Sequence, residues 1–176
     1  MMTYSRMTIV LGVLCVTLLS RNASAQMPNG YGAPISVETA RKVAAAAIAE
    51  GKKNGWNVAA AVVDGAGDLV FFERMDGTQA ASVTVAQDKA RTAARFKRPS
   101  KALEDALAGG RQAILGLPGA VPLEGGIPLL IDGKIVGAIG VSGVTSQQDG
   151  MCAQAGADTL GKAPGTPPAP PRPPRK

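Results

Sequence analysis

Residues Leu123 to Gly143 read LEGGIPLLIDGKIVGAIGVSG. Two apolar runs flank Asp132-Gly133, a dipeptide that favours the tight turn of a β-hairpin. The stretch predicts strand, turn, strand, entered through Glu124-Gly125-Gly126. It holds six glycines in twenty-one residues, more than a hairpin needs. Gly137, Gly140 and Gly143 are spaced G-x-x-G-x-x-G, which is not the dinucleotide fingerprint, and no G-K-[ST] follows. A nucleotide loop is excluded. Glycines on a strand let a helix or a neighbouring backbone approach closely. Gly125 and Gly126 suggest backbone angles that other residues dislike, with the Glu124 carboxylate beside them.

Working outward, Ser36 is a helix cap ahead of Glu38, and Ala40, Val43, Ala44, Ala47 and Ile48 follow helical spacing up to Asn54-Gly55. Trp56–Asp64 (WNVAAAVVD) and Leu69–Met75 (LVFFERM) read as strands around a Gly65-Ala66-Gly67 turn. A second helix is expected from Ala80 to Phe96. Ser100 is expected to cap a third that runs to Leu115. A capping box at Thr145 or Ser146, closed by Gln148 or Asp149, opens a last helix to Leu160. The order α-ββ-αα-ββ-α needs no parallel crossover, so it predicts an α+β domain with an antiparallel sheet flanked by helices. Both faces of the strands are apolar. They need cover from helices or a second subunit, and a homo-oligomer is expected.

The two ends read differently. Met1–Ala25 carries Arg6, an apolar run from Ile9 to Leu19, and Ala23-Ser24-Ala25. That pattern predicts a secretory signal cleaved before Gln26, with the run too short for a stable membrane anchor. Residues 26–35 form an N-terminal arm and 36–161 the domain. Lys162–Lys176 (KAPGTPPAPPRPPRK) holds seven of the thirteen prolines, and is expected to be an extended, disordered tail whose partner the sequence does not name. The net charge of +6 comes from the ends: Arg6 and Arg21 in one, Lys162, Arg172, Arg175 and Lys176 in the other. Between them thirteen basic residues face thirteen acidic ones. The domain is neutral, which gives no warrant for nucleic-acid binding.

The chain has no histidine, and cleavage leaves Cys152 as its one cysteine. Common zinc sites and Ser-His or Cys-His nucleophilic pairs are therefore excluded. Glu124 is the candidate catalytic acid/base, and equally a partner for Arg111. Arg74 and Met75 close the first hairpin, either as a strand end or as a cationic rim with a soft contact. Lys89 shares its helix with Arg91 and Arg95, and the cluster reads as ordinary charge complementation of a helix C-terminus. Cys152 reads as a small buried hydrophobe.

LEGGIPLLIDGKIVGAIGVSG followed by Gln147-Gln148-Asp149 resembles the closing signature of the GlcG/HbpS family. The Ala-rich first helix, NGWNVAAAVVDGAGDLVFFERMDG and QDKARTAARFKRPS agree in order, so the resemblance spans about Ile35 to Gly161. It implies a profilin-like α+β domain, homo-oligomers, and a haem-binding protein related to haem handling or redox sensing. Similar domains are fused to corrinoid enzymes. Without histidine, iron would be ligated by Cys152, Tyr31, Met27, Met75 or Met151, or by no side chain. Arg74 or Lys89 would meet the propionates, and Gly125 and Gly126 are further candidate contacts. The alternative is an enzyme or binder for a small organic acid, using Glu124 with Arg74 or Arg111 as the clamp. A structural oligomer without ligand is the third reading, and binding is expected ahead of catalysis.

Overall fold

The computed structural model describes residues 29–161, so the leader, Met27 and the proline-rich tail lie outside the described residues. Helix α1, Val37–Asn54, starts at Ser36, whose side chain accepts from Thr39 N, and stops at Gly55 in the left-handed region (φ 70°). Strands β1, Ala59–Asp64, and β2, Leu69–Arg74, form the first hairpin. Helix α2 spans Ser82–Phe96 and α3 spans Lys101–Ala108. The second hairpin is β3, Gly126–Ile131, and β4, Lys134–Ser142. Helix α4, Ser146–Ala157, opens on the full capping box of Thr145 and Gln148, and a 3-10 turn at Asp158–Leu160 follows.

Two expectations change. Ser100 precedes α3 but does not cap it with its side chain. The hydroxyl is occupied elsewhere, by Leu123 and Gly126. Helix α3 also stops at Ala108 rather than Leu115, because Gly109 and Gly110 follow and Gly110 adopts φ 97°. A 3-10 helix at Gln112–Gly116 takes up the remainder.

The four strands form one antiparallel sheet in the order β2-β1-β4-β3. Alternation along β1 divides the core. Ala60 and Val62 join Ile139, Val141, Cys152 and α1 residues on one face, while Ala59, Ala61 and Val63 meet Ala86, Ala90, Ala93 and Ala94 of α2 on the other. Helices α1 and α4 thus cover one side and α2 the other. The cover that the apolar strands need is within one chain. Val136 of β4 also packs in the larger core. Strand β4 there extends past the last β1 pair, Asp64 with Gly137, and runs beside the arm. Gly32 N donates to Ile135 O and Ile35 N to Val136 O, so the arm occupies the place β1 leaves.

The glycines of the second hairpin have a packing reason. Gly126 and Gly140 are register partners across β3 and β4. A Cβ at Gly140 would collide with Ala86 O and Ala90 N, and one at Gly126 with Lys89 O. Two adjacent bare positions form a flat seat on which the α2 backbone lies directly against the sheet. This seat sets where Lys89 emerges.

Candidate functional site

The chain entering β3 is tied on both sides of Glu124. Ser100 Oγ donates to Leu123 O and accepts from Gly126 N at 2.9 Å, while Ser100 N donates to Gly126 O at 2.9 Å. Glu124 N donates to Glu104 Oε2 at 2.6 Å. Val141 N donates to Gly125 O at 2.9 Å. Gly125 itself adopts φ 125°, a region that side chains rarely enter. Ser100 ahead of α3, Glu104 of α3 and Val141 of β4 therefore hold four consecutive residues in place.

Beneath Gly125 lies a buried ion pair. Lys89 Nζ, from α2, donates to Asp149 Oδ2, on α4, at 2.7 Å, with both side chains about 2–3% exposed. Asp149 Oδ1 also accepts from Val144 N. The two helices lie on opposite faces of the sheet, and the pair joins them at Gly125. A Cβ there would stand 3.0 Å from both Lys89 Nζ and Asp149 Cβ. Burial pushes the Asp149 carboxyl above its ordinary value, opposed by its bonds to Lys89 and to the Val144 and Gly143 backbone.

Glu124 sits over this pair, its carboxylate packed on Gly150, the residue after Asp149. The side chain is 20% exposed, and its nearest cation is Lys101 Nζ at 3.9 Å. Among the described residues, no donor hydrogen-bonds to its oxygens. Burial raises the Glu124 carboxyl above its ordinary value; Lys101 pulls it down, Glu104 and Asp105 push it up, and Lys89 pulls it down. Lys101 is itself paired with Asp105 at 2.8 Å. A partly buried side chain with a fixed backbone and solvent-facing acceptor oxygens can bind a donor or exchange a proton.

The structure brings Glu124, Gly125, Gly126 and Lys89 together, and leaves Arg74, Met75 and Arg111 elsewhere. The cation beside Glu124 is Lys101, not Arg111, which stands exposed past the glycine break after α3. Arg74 ends β2 at the same end of the sheet as Gly126, but three strand spacings away, roughly 14 Å. The organic-acid clamp of Glu124 with Arg74 or Arg111 does not assemble in one chain. Lys89 is sealed in the interior and cannot face a propionate. Sequence reasoning missed Asp149, Lys101, Glu104 and Ser100. One signal was available: Lys89 falls on the stripe of Ala86, Ala90 and Ala93, where a solvated lysine does not belong.

Arg74 and Met75 line a different place, a depression of about 370 Å³ with Lys52, Glu73 and Asp76. Met75 is half-buried, its sulfur over Gly51 of α1. The other iron-ligand candidates divide sharply. Tyr31 donates to Ala94 O at 2.9 Å, with Lys97 stacked 4.2 Å from its ring centre. Cys152 is buried in the core, and burial with nearby Asp149 and Glu50 pushes its thiol up to about 11. Met151 is 54% exposed on α4. Lys52 and Arg74 bring two cations to this depression, beside the carboxylates of Glu73 and Asp76, and Met75 adds a thioether, a side-chain type that haem iron accepts. The geometry fits a group held at the surface rather than in a deep slot.

The family model for the Haem degrading protein HbpS-like group matches residues 35–158. The chain belongs to that family. It is 41% identical over 108 residues to Protein GlcG of Escherichia coli strain K12, covering 61% of this chain and 81% of GlcG. An HbpS double mutant from Streptomyces reticuli superposes with a TM-score of 0.69 at 35% identity, covering 74% of this chain and 90% of that one. A PduOC structure, solved as its heme complex, gives a TM-score of 0.66 at 25% identity, covering 73% and 96%. The α+β HbpS-like fold and the resemblance read from the hairpin are thereby shown.

Proposed function

We propose that this protein is an exported haem-binding protein of the HbpS type. The observation that carries the reading is family membership across nearly the whole described domain, with a similar chain solved as a heme complex. The depression at the end of β2 supports a location: Lys52 and Arg74 would hold the propionates and Met75 would offer its thioether to the iron. Bound haem would supply redox chemistry at that surface. The chain's own residues orient the ring and neutralise its carboxylates. Export rests on the leader pattern, and a homo-oligomer on the family's resemblance.

Haemin titrated into protein beginning at Gln26 should give a saturable Soret shift. Met75→Ala should move the band position, and Arg74→Ala should weaken binding. No Soret shift removes the haem reading. A shift unchanged in both variants, or altered only by Met151→Ala, relocates the site. Export is checked by N-terminal sequencing of protein from the producing cell's extracytoplasmic fraction, where Gln26 should come first.

A second reading is favoured by one observation, the solvent-facing acceptor oxygens of the partly buried Glu124. It is an acid/base residue for a small ligand that donates a hydrogen bond. With Lys101 already paired to Asp105 and Glu104 nearby, a neutral or cationic donor suits the place better than an organic acid. Glu side chains labelled with carbon-13 at Cδ report on it. Ethanolamine should shift the Glu124 signal saturably, whereas lactate should not. A Glu124 signal unresponsive to both sinks this reading.

A further inference from the structure

Lys89 and Asp149 are the most deeply buried charges among the described residues, and neither lines the depression at the end of β2. Their surroundings show what they do. Helix α2 is seated directly on Gly126 and Gly140, which brings Lys89 to the entrance of β3. From there its side chain reaches Asp149, on the first turns of the helix that covers the opposite face. The meeting point is Gly125, whose missing side chain leaves room for the ammonium, and whose carbonyl is bound by Val141 N. Glu124, one residue earlier, lies on Gly150, one residue after Asp149. The carboxylate and the ion pair are thus adjacent along both chain segments.

We propose that the Lys89–Asp149 pair is a pin through the end of the sheet that positions Glu124 against Gly150. This deepens the acid/base reading of Glu124 and rests on it. Lys89 and Asp149 are positioning residues: they hold Gly125 and the start of α4 in register, and Glu124 is the group that meets a ligand. Asp149 Oδ1, bonded to Val144 N, ties the β4–α4 turn to the same point. Ser100 and Glu104 hold the other side of the entrance. Removing the pin frees one wall of the Glu124 site and leaves the rest of the sheet paired.

The charges on Glu124 make this distinguishable from a mere neighbouring cation. Burial is the largest influence and raises the carboxyl; Lys89 is the smallest and lowers it. If Lys89 only supplied charge, its loss would raise the Glu124 titration midpoint. If the pair positions Glu124, its loss hydrates the carboxylate and the midpoint falls towards the ordinary glutamic acid value. The test is carbon-13 titration of Glu Cδ, assigned with Glu124→Gln, in wild type and in Lys89→Met/Asp149→Leu, which leaves no charge unpaired. The expected result is a fall, with amide exchange at Gly125, Gly126 and Val144 at least about tenfold faster while β1 is unchanged. A rise, or no change in midpoint and exchange, overturns the proposal. Should the double variant fail to fold, Lys89→Met/Asp149→Asn, which also removes both charges, must show the same fall and the same faster exchange. Failure of the Glu124 reading looks different: wild-type Glu124 does not respond to ethanolamine, whatever the pair does.

Discussion

Replacing Gly140 by alanine tests whether the hairpin glycines are a seat for α2. The added methyl would collide with Ala86 O and Ala90 N, which are backbone atoms of the helix that covers one face of the sheet. No rotamer relieves such a clash. Either α2 lifts or β4 bends away. Lifting α2 loosens its contact with Ala59, Ala61, Val63 and Ala138, all buried against it. Overpacking against side chains costs about 1–3 kcal/mol, and backbone opposition places this case at the upper end. For a domain of this size each kcal/mol is roughly 3–5 °C in Tm, so a drop on the order of 10 °C is expected. Gly126→Ala, against Lys89 O, should cost a similar amount. Because the two positions are register partners beneath one helix, the double variant should cost less than the sum. Gly116→Ala is the control, since nothing lies within 4 Å of its added carbon. Urea and thermal unfolding of the four variants decide it. A Gly140→Ala loss below about 0.5 kcal/mol, equal to that of Gly116→Ala, would refute the seat.

Three further outcomes follow from the buried groups. Asp149→Leu leaves the Lys89 ammonium buried without its partner and should cost about 3–5 kcal/mol, whereas Lys89→Met/Asp149→Leu should lie within about 1–2 kcal/mol of wild type; a double variant as unstable as the single contradicts the pairing. The Glu124 carboxyl is raised in the folded state, so the native protein holds that proton above pH 4.5, where the unfolded chain releases it. Wild type should therefore lose stability relative to Glu124→Gln as pH rises from about 4 through the range just above the ordinary value, measured by thermal unfolding, and a difference that is flat or rises with pH argues against it. Cys152, with its thiol pushed up to about 11 and no exposure, should resist a thiol reagent at pH 8 in protein beginning at Gln26, then react with one equivalent in denaturant; native labelling at the unfolded rate contradicts the core placement.

The legible parts of this fold were those set by local chemistry. Ser36, Gly55 and the Thr145–Gln148 box mark helix ends because each satisfies backbone groups within a few residues. Alternation in Ala59–Val63 and the Asp132-Gly133 turn likewise require no knowledge of what lies across the sheet. Ser100 shows where that stops. Its type and position suit a cap, yet its hydroxyl is taken by Leu123 and Gly126, more than twenty residues along the chain. A long-range partner overrode a local preference, and only the packing of α3 against the β3 entrance reveals it.

The candidate site divides the same way. Glu124 beside two glycines was legible, since such a step points to constrained backbone. Its partners were not: Asp149 is twenty-five residues away and Lys89 sixty from Asp149, joined only by the folding of two helices onto opposite faces. Arg74 and Arg111 looked equally suitable as partners because charge type is visible in a sequence and strand order is not. Once β2 and β3 are known to be opposite edges, Arg74 belongs with Met75 and Lys52, and Glu124 with Lys101 and Glu104. The two functional readings thereby become two separate places on one molecule. Haem at the β2 end and a proton-exchanging carboxylate at the β3 end do not compete for residues. Met75→Ala should leave the Glu124 carbon-13 titration unmoved, just as Glu124→Gln should leave the haemin Soret titration unmoved. A variant at either end that alters both readouts would overturn the separation of the two places.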